Sequence, residues 1–259
     1  VLLLMIHIVL SLLVALYSRE NIDGEPNNLL KNIVGDSNVD KRILSFYKGS
    51  PIKGIYVNYL EKVSNYILKH VTKKEIKDIE NKAAIFDFDD TIVWTRPYNP
   101  AKPKYTKSGE FGNVFYYPPL YPIVNLIREL KKLGFWIFII TSRPPNSVLS
   151  IKYNLKKYNV PWDSIFTSNF SGEHLIFKSR IRKIIESYSP EDIRGLNTFQ
   201  LLTKSRSRYT DNRTTNIVVS IGDNWYDIYE GNNDIGIKLP CPGDLNAYVY
   251  YKNRVISFI

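Results

Sequence analysis

Four short, strongly apolar runs constrain this chain more than any other feature: AAIFDF (83–88), FWIFII (135–140), SIFTS (164–168) and NIVVSI (216–221). Each reads as a buried β-strand. Between them lie stretches of helical character. IVNLIRELKKLG (123–134) is amphipathic and ends on Gly134 as a C-terminal cap. Residues 146–158 suit a helix entered from Asn146 or Ser147, and KSRIRKIIESY (178–188) suits another. Strands alternating with helices predict βαβ units and a mainly parallel sheet covered on both faces. In such sheets the loops leaving the carboxyl ends of the strands carry the site.

The chain has 259 residues, enough for one large domain or two small ones. Residues 1–17 are apolar apart from His7 and Ser11. At about 1.5 Å per residue they would make a helix of roughly 25 Å, the apolar region of a signal peptide or a minimal membrane anchor. Residues 18–50 read as a linker rich in Asn, Asp, Gly and Ser, and apolar residues from Ile52 to Val71 recur near helical spacing. The catalytic domain is expected over 51–259, with a basic insertion at 189–216 carrying Lys204, Arg206, Arg208 and Arg213. The leader, with the sequons Asn169-Phe170-Ser171 and Asn212-Arg213-Thr214, predicts a secreted or membrane-anchored protein.

Composition narrows the chemistry. The single cysteine, Cys241, excludes an internal disulfide and a Cys-rich zinc site, and three histidines leave little for a His-rich metal centre. Hydrolytic chemistry, if the chain performs any, must therefore lean on carboxylates. The net charge of +10 fits a nucleic acid, a membrane surface or small anionic substrates equally well, or merely a solvated surface.

Four segments are informative together. Asp87-Phe88-Asp89-Asp90-Thr91 follows the first strand, and carboxylates two residues apart on extended chain point the same way. Thr141-Ser142-Arg143 follows the second strand and offers a hydroxyl and backbone N–H groups to phosphate oxygens. Lys178 opens an amphipathic helix, where an ammonium adds to the anion preference of a helix N-terminus. Gly222-Asp223-Asn224-Trp225-Tyr226-Asp227 follows NIVVSI and returns two more carboxylates to the same edge. Taken singly, each has a plain reading as an acidic turn, a strand-ending hydroxyl or a surface lysine. Together, four carboxylates would repel a phosphate dianion by about 4 kcal/mol per charge pair at 4 Å and an effective dielectric near 20. A hard divalent cation and a lysine reverse that sign, and oxygen-only ligands suit Mg²⁺.

In this order the segments resemble the motifs of the haloacid dehalogenase-like superfamily, and in detail its class III (subfamily IIIB-like) acid phosphatases. Pro97-Tyr98 after Asp90-Thr91, GDNWYD (222–227) and KLPCP (238–242) carry the closer likeness. The resemblance implies a Rossmann-like three-layer α/β sandwich with no large cap domain and a helical N-terminal extension. It implies Asp87 as nucleophile and Asp89 as acid and base. Mg²⁺ would be held by Asp87, the backbone carbonyl of Asp89, and Asp223. Thr141 and Lys178 would bind the phosphoryl oxygens, and Asp227 would support the metal or Lys178. The implied substrate is a phosphomonoester. Two rivals remain: a nucleic-acid end phosphatase gripping a phosphate backbone with residues 204–213, and a catalytically silent storage or binding relative.

Overall fold

The computed structural model describes residues 55–95, 117–168, 174–204, 214–228, 234–239, 248–251 and 254–256. Its centre is a seven-stranded sheet in the order β3-β2-β1-β4-β5-β6-β7. The strands are β1 (Lys82–Phe86), β2 (Trp136–Thr141), β3 (Ser164–Thr167), β4 (Asn216–Gly222), β5 (Ile235–Lys238), β6 (Tyr248–Tyr251) and β7 (Arg254–Ile256). β1 to β5 run parallel, whereas β6 and β7 add antiparallel at one edge. The order doubles back at β1, which lies between β2 and β4, and that reversal opens a crevice at the strands' carboxyl ends.

The two-residue period of β1 explains the layers. Ala84 and Phe86 point into one core with Leu60, Val63 and Ile67 of α1 (Ile55–Val71) and Ile123, Ile127 and Leu130 of α3 (Tyr121–Lys132). Ile151 and Leu155 of α4 (Val148–Lys157) join that core, while α2 (Lys74–Lys77) links α1 to β1. Ala83 and Ile85 point the other way, against Phe177, Ile181 and Ile185 of α5 (His174–Glu186). Ile193 of α6 (Pro190–Ile193) and Leu201 of α7 (Thr198–Thr203) complete that second core. The result is the expected three-layer α/β sandwich with a mainly parallel sheet.

Local chemistry sets several boundaries. α3 ends at Gly134, whose φ of 82° an L side chain rarely adopts, with the Gly134 N–H donating to the Lys131 carbonyl at 3.1 Å. Asn197 and Gln200 form a reciprocal capping box at the start of α7. The span 189–216, read as an insertion, thus contains two short packed helices, α6 and α7. Its Arg206, Arg208 and Arg213 lie outside the described residues, as do residues 18–50, Pro97, Tyr98, Asn169, Asn212 and residues 240–242.

Two expectations are corrected. Lys178 does not open its helix: α5 begins at His174, so Lys178 sits a full turn inside and acts through its side chain rather than beside free N–H groups. The expected secreted or membrane-anchored location is corrected to what the described residues show: no helix among them is long and apolar enough to cross a membrane. The 17-residue α1 alternates a buried apolar stripe with exposed Asn58, Glu61, Lys62, Asn65 and Lys69, the pattern of a helix packed against a sheet. Residues 1–17, on which that expectation rested, lie outside the described residues.

Candidate active site

The site is assembled where β1, β2 and β4 end. The Asp87 N–H donates to the Ile221 carbonyl at 2.9 Å, carrying the β1–β4 ladder one residue beyond Phe86. This places Asp87 beside the turn that carries Asp223. Past Asp89 the chain reverses at Asp90, whose φ of 51° lies in the left-handed region that Asp tolerates better than most residues. The Asp90 carboxylate holds that turn by accepting from the Thr95 N–H at 3.0 Å and the Thr95 hydroxyl at 3.1 Å. Asp90 is thus engaged in holding the turn.

Asp87, Asp223 and Asp227 are all buried, and each offers a carboxylate oxygen within 4.8 Å of the others. Lys178, also buried, donates to Asp87 Oδ1 at 2.6 Å and forms a second, very short ion pair with Asp227 Oδ1. The cluster thus sets three carboxyl groups around one ammonium and is acidic overall. An all-oxygen donor set with that charge fits a hard divalent cation.

Burial pushes the Asp87 carboxyl well above the usual carboxylate range; Lys178 pulls it down, while Asp227, Asp223 and Asp89 add to the rise. Burial by itself would lower Lys178, but the carboxylates of Asp227 and Asp87 outweigh it and hold the ammonium firmly charged. Burial likewise raises the Tyr226 phenol, with Asp227 adding to the effect. The centroid of the Tyr226 ring lies 5.1 Å from the Lys178 ammonium, a cation–π contact.

The turn bearing Asp227 is built by residues that the motif pattern alone does not single out. Asp227 closes a short 3₁₀ turn, Trp225–Asp227, in which its Oδ2 accepts from the Asn224 N–H at 2.9 Å. The Asn224 amide donates to Asp223 Oδ1 at 2.6 Å. Arg182 lies one turn beyond Lys178 and is fully buried. Its guanidinium donates to the carbonyls of Tyr226 and Asp227 at 3.1 and 2.9 Å. Helix α5 therefore delivers Lys178 to the Asp227 side chain and Arg182 to its backbone. The four-residue spacing of Lys178 and Arg182 is a legible sign of a shared helix face, but not of what that face meets.

Thr141 ends β2 at the same sheet edge and is fully buried, its hydroxyl accepting from the Arg143 N–H at 3.2 Å. Asp89 stands apart from the three clustered carboxylates. Its side chain is forked by Arg143, with Nε to Oδ2 at 2.8 Å and a terminal guanidinium nitrogen to Oδ1 at 2.7 Å.

A mainly parallel, doubly wound sheet with a buried carboxylate-and-lysine cluster at its topological switch point defines a Rossmann-like α/β protein with an acidic site at the strand ends. The match to a family model is specific. The model of the HAD superfamily, subfamily IIIB (acid phosphatase), covers residues 51–243, and the chain belongs to that family.

No curated protein matches the chain. Among solved structures, two of the Pnkp1/Rnl/Hen1 RNA repair assembly are remotely similar. One is 12% identical over 56% of this chain and 37% of that chain, with a TM-score of 0.36. The other is 16% identical over 48% of this chain and 43% of that chain, with a TM-score of 0.32. This chain therefore spans less than half the length of either, and likeness at that level bears on neither substrate nor partner.

Proposed function

We propose that this chain is a Mg²⁺-dependent phosphomonoester hydrolase working through an aspartyl-phosphate. The observation that carries the reading is the buried cluster of Asp87, Asp223 and Asp227 on Lys178, in a chain of the acid phosphatase subfamily. A carboxylate crowded by like charges is a competent nucleophile once a cation lets a phosphate approach.

Asp87 attacks phosphorus, and the bond from phosphorus to the ester oxygen breaks. Asp89 gives a proton to the departing alkoxide, so the alcohol leaves neutral. Asp89 then accepts a proton from water as the water oxygen attacks the phosphorus of the aspartyl-phosphate. The Asp87 carboxylate departs, and inorganic phosphate is released. Lys178 and Thr141 hold the phosphoryl oxygens and offset their charge through the transfer. Asp87, the Asp89 carbonyl and Asp223 would hold the cation, with Asp227 supporting both it and Lys178. When bound, the cation supplies the positive charge that lets a dianion enter an acidic cleft.

The test is phosphate release from a panel of nucleotides, sugar phosphates and 3′- and 5′-phosphorylated oligonucleotides. Wild type should turn over at least one class, leaving hydroxylamine-sensitive phosphoprotein on rapid acid quench. Asp87→Asn should lose both signals while keeping its circular dichroism spectrum. Near wild-type turnover by Asp87→Asn would overturn the reading.

A further inference from the structure

We propose that Arg143 is a positioning residue that fixes the carboxylate of Asp89 outside the acidic cluster, where it can exchange protons with the leaving group. This rests on the acid role of Asp89 given above. The two residues lie 54 positions apart, yet they meet in a two-point ion pair. Arg143 Nε donates to both oxygens, at 2.8 and 3.2 Å, and the adjacent terminal nitrogen donates to Oδ1 at 2.7 Å. A fork of this kind sets both side-chain torsions of the aspartate, whereas a lysine would supply a single point charge.

Arg143 is itself held on every side. Its guanidinium lies between two rings, 5.0 Å from the centroid of Phe88 and 4.8 Å from that of Tyr117. Phe88 stands in sequence between Asp87 and Asp89, so one clamp residue is part of the acidic loop. Tyr117 is pinned in turn: its N–H donates to Asn154 Oδ1 at 3.0 Å, and its carbonyl accepts from the Tyr158 hydroxyl at 2.7 Å. The Arg143 main chain is tied to Thr141 Oγ1 and, through its carbonyl, to the Ser168 N–H at 2.9 Å. Arg143 is almost wholly buried, with 8% of its surface exposed, while the Asp89 side chain keeps 19%. The guanidinium is thus a fixed scaffold, and the acid is the half of the pair that faces the cleft.

The consequence is a division of labour between two carboxylates only two residues apart. Asp87 is drawn into the cluster by Lys178, and Asp89 is drawn out of it by Arg143. Among the described residues, the fork is what holds the Asp89 side chain away from the Asp87, Asp223 and Asp227 cluster. Without it the acid would be lost while the nucleophile stayed intact.

The experiment compares Arg143→Ala, Arg143→Lys, Asp89→Asn and the Asp89→Asn/Arg143→Ala pair on an alkyl phosphate and on p-nitrophenyl phosphate. General acid catalysis contributes about 10²- to 10⁴-fold, and it matters most where the leaving group is poor. Both Arg143 variants should therefore lose roughly 100-fold in kcat on the alkyl ester, and under about tenfold on the nitrophenyl ester. The double variant should lose no more than Asp89→Asn alone. Added guanidinium should restore part of the alkyl-ester rate to Arg143→Ala. Equal losses on both esters, or losses that multiply in the double variant, overturn the proposal. If Arg143→Ala fails to fold, the Arg143→Lys ester ratio decides alone. A flat ester ratio in Asp89→Asn removes the acid role and this inference with it. A steep ratio there with a flat one in both Arg143 variants removes only the role of Arg143.

Discussion

The side chain of Asp227 fills the space in which residue 222 would carry a β-carbon. A β-carbon built on Gly222 would lie 2.1 Å from Asp227 Oδ2 and 2.2 Å from its Cβ and Cγ. The glycine at the end of β4 is therefore required by close approach rather than by an unusual backbone angle. The acidic turn folds back flat against the strand that precedes it, and that contact puts the carboxylate of Asp227 on Lys178.

Gly222→Ala should accordingly displace the 3₁₀ turn. Overpacking of this kind costs about 1–3 kcal/mol, and the damage falls on Asp227 and Lys178 together. The expected result is a lower thermal midpoint with kcat/KM reduced by roughly 100-fold or more, a loss larger than the stability change alone would cause. A variant with normal activity would show that the turn can move without harm.

Lys178→Met removes the ammonium from between Asp87 and Asp227. Breaking a buried ion pair by deleting one partner costs about 3–5 kcal/mol, because the charges left behind are uncompensated. Denaturant titration of the metal-free protein should show that loss, and phosphatase turnover should fall with it. An unchanged midpoint would place Lys178 outside the energetics of the cluster.

Divalent cations should stabilise the protein whether or not substrate is present. The three clustered carboxylates of Asp87, Asp223 and Asp227 predict a thermal midpoint that rises with Mg²⁺, by an amount equivalent to about 2.7 kcal/mol at a hundredfold excess over Kd. Asp223→Asn should flatten that response, and chelation by EDTA should abolish turnover. A midpoint insensitive to Mg²⁺ in the wild type would count against cation binding by these residues.

Arg182→Leu tests the backbone anchor of the turn. Hydrogen bonds from a charged donor contribute about 1.5–3 kcal/mol, and here two carbonyls lose theirs. Stability should drop by a few kcal/mol. Activity should fall further than in a variant of equal instability elsewhere in the core, such as Leu201→Ala. Matched activity in the two variants would make Arg182 a packing residue alone.

Much of the architecture follows from local chain properties. Apolar runs such as FWIFII and NIVVSI bury on both sides, so they must be internal parallel strands. The residues after them, Asp87, Thr141 and Asp223, then fall on one edge. Period and polarity are properties of adjacent residues, and they are legible without neighbours in space. The edge hairpin β6–β7 was not legible in this way: Tyr248–Tyr251 and Arg254–Ile256 are too short for a periodic signature, and the sheet edge supplies the partner.

What only the tertiary structure decided is who pairs with whom. The family resemblance already offered Asp227 as a support for the metal or Lys178; the packing of α5 on the sheet chose Lys178 and brought Arg182 behind it onto the same turn. It also put Asp227, rather than the Asp89 carboxylate, beside Asp87 and Asp223, and brought Arg143 across 54 residues to Asp89. Ion pairs of this kind depend on strand register and helix rotation. Both are set by the summed packing of the two cores, and no stretch of sequence around either partner encodes them.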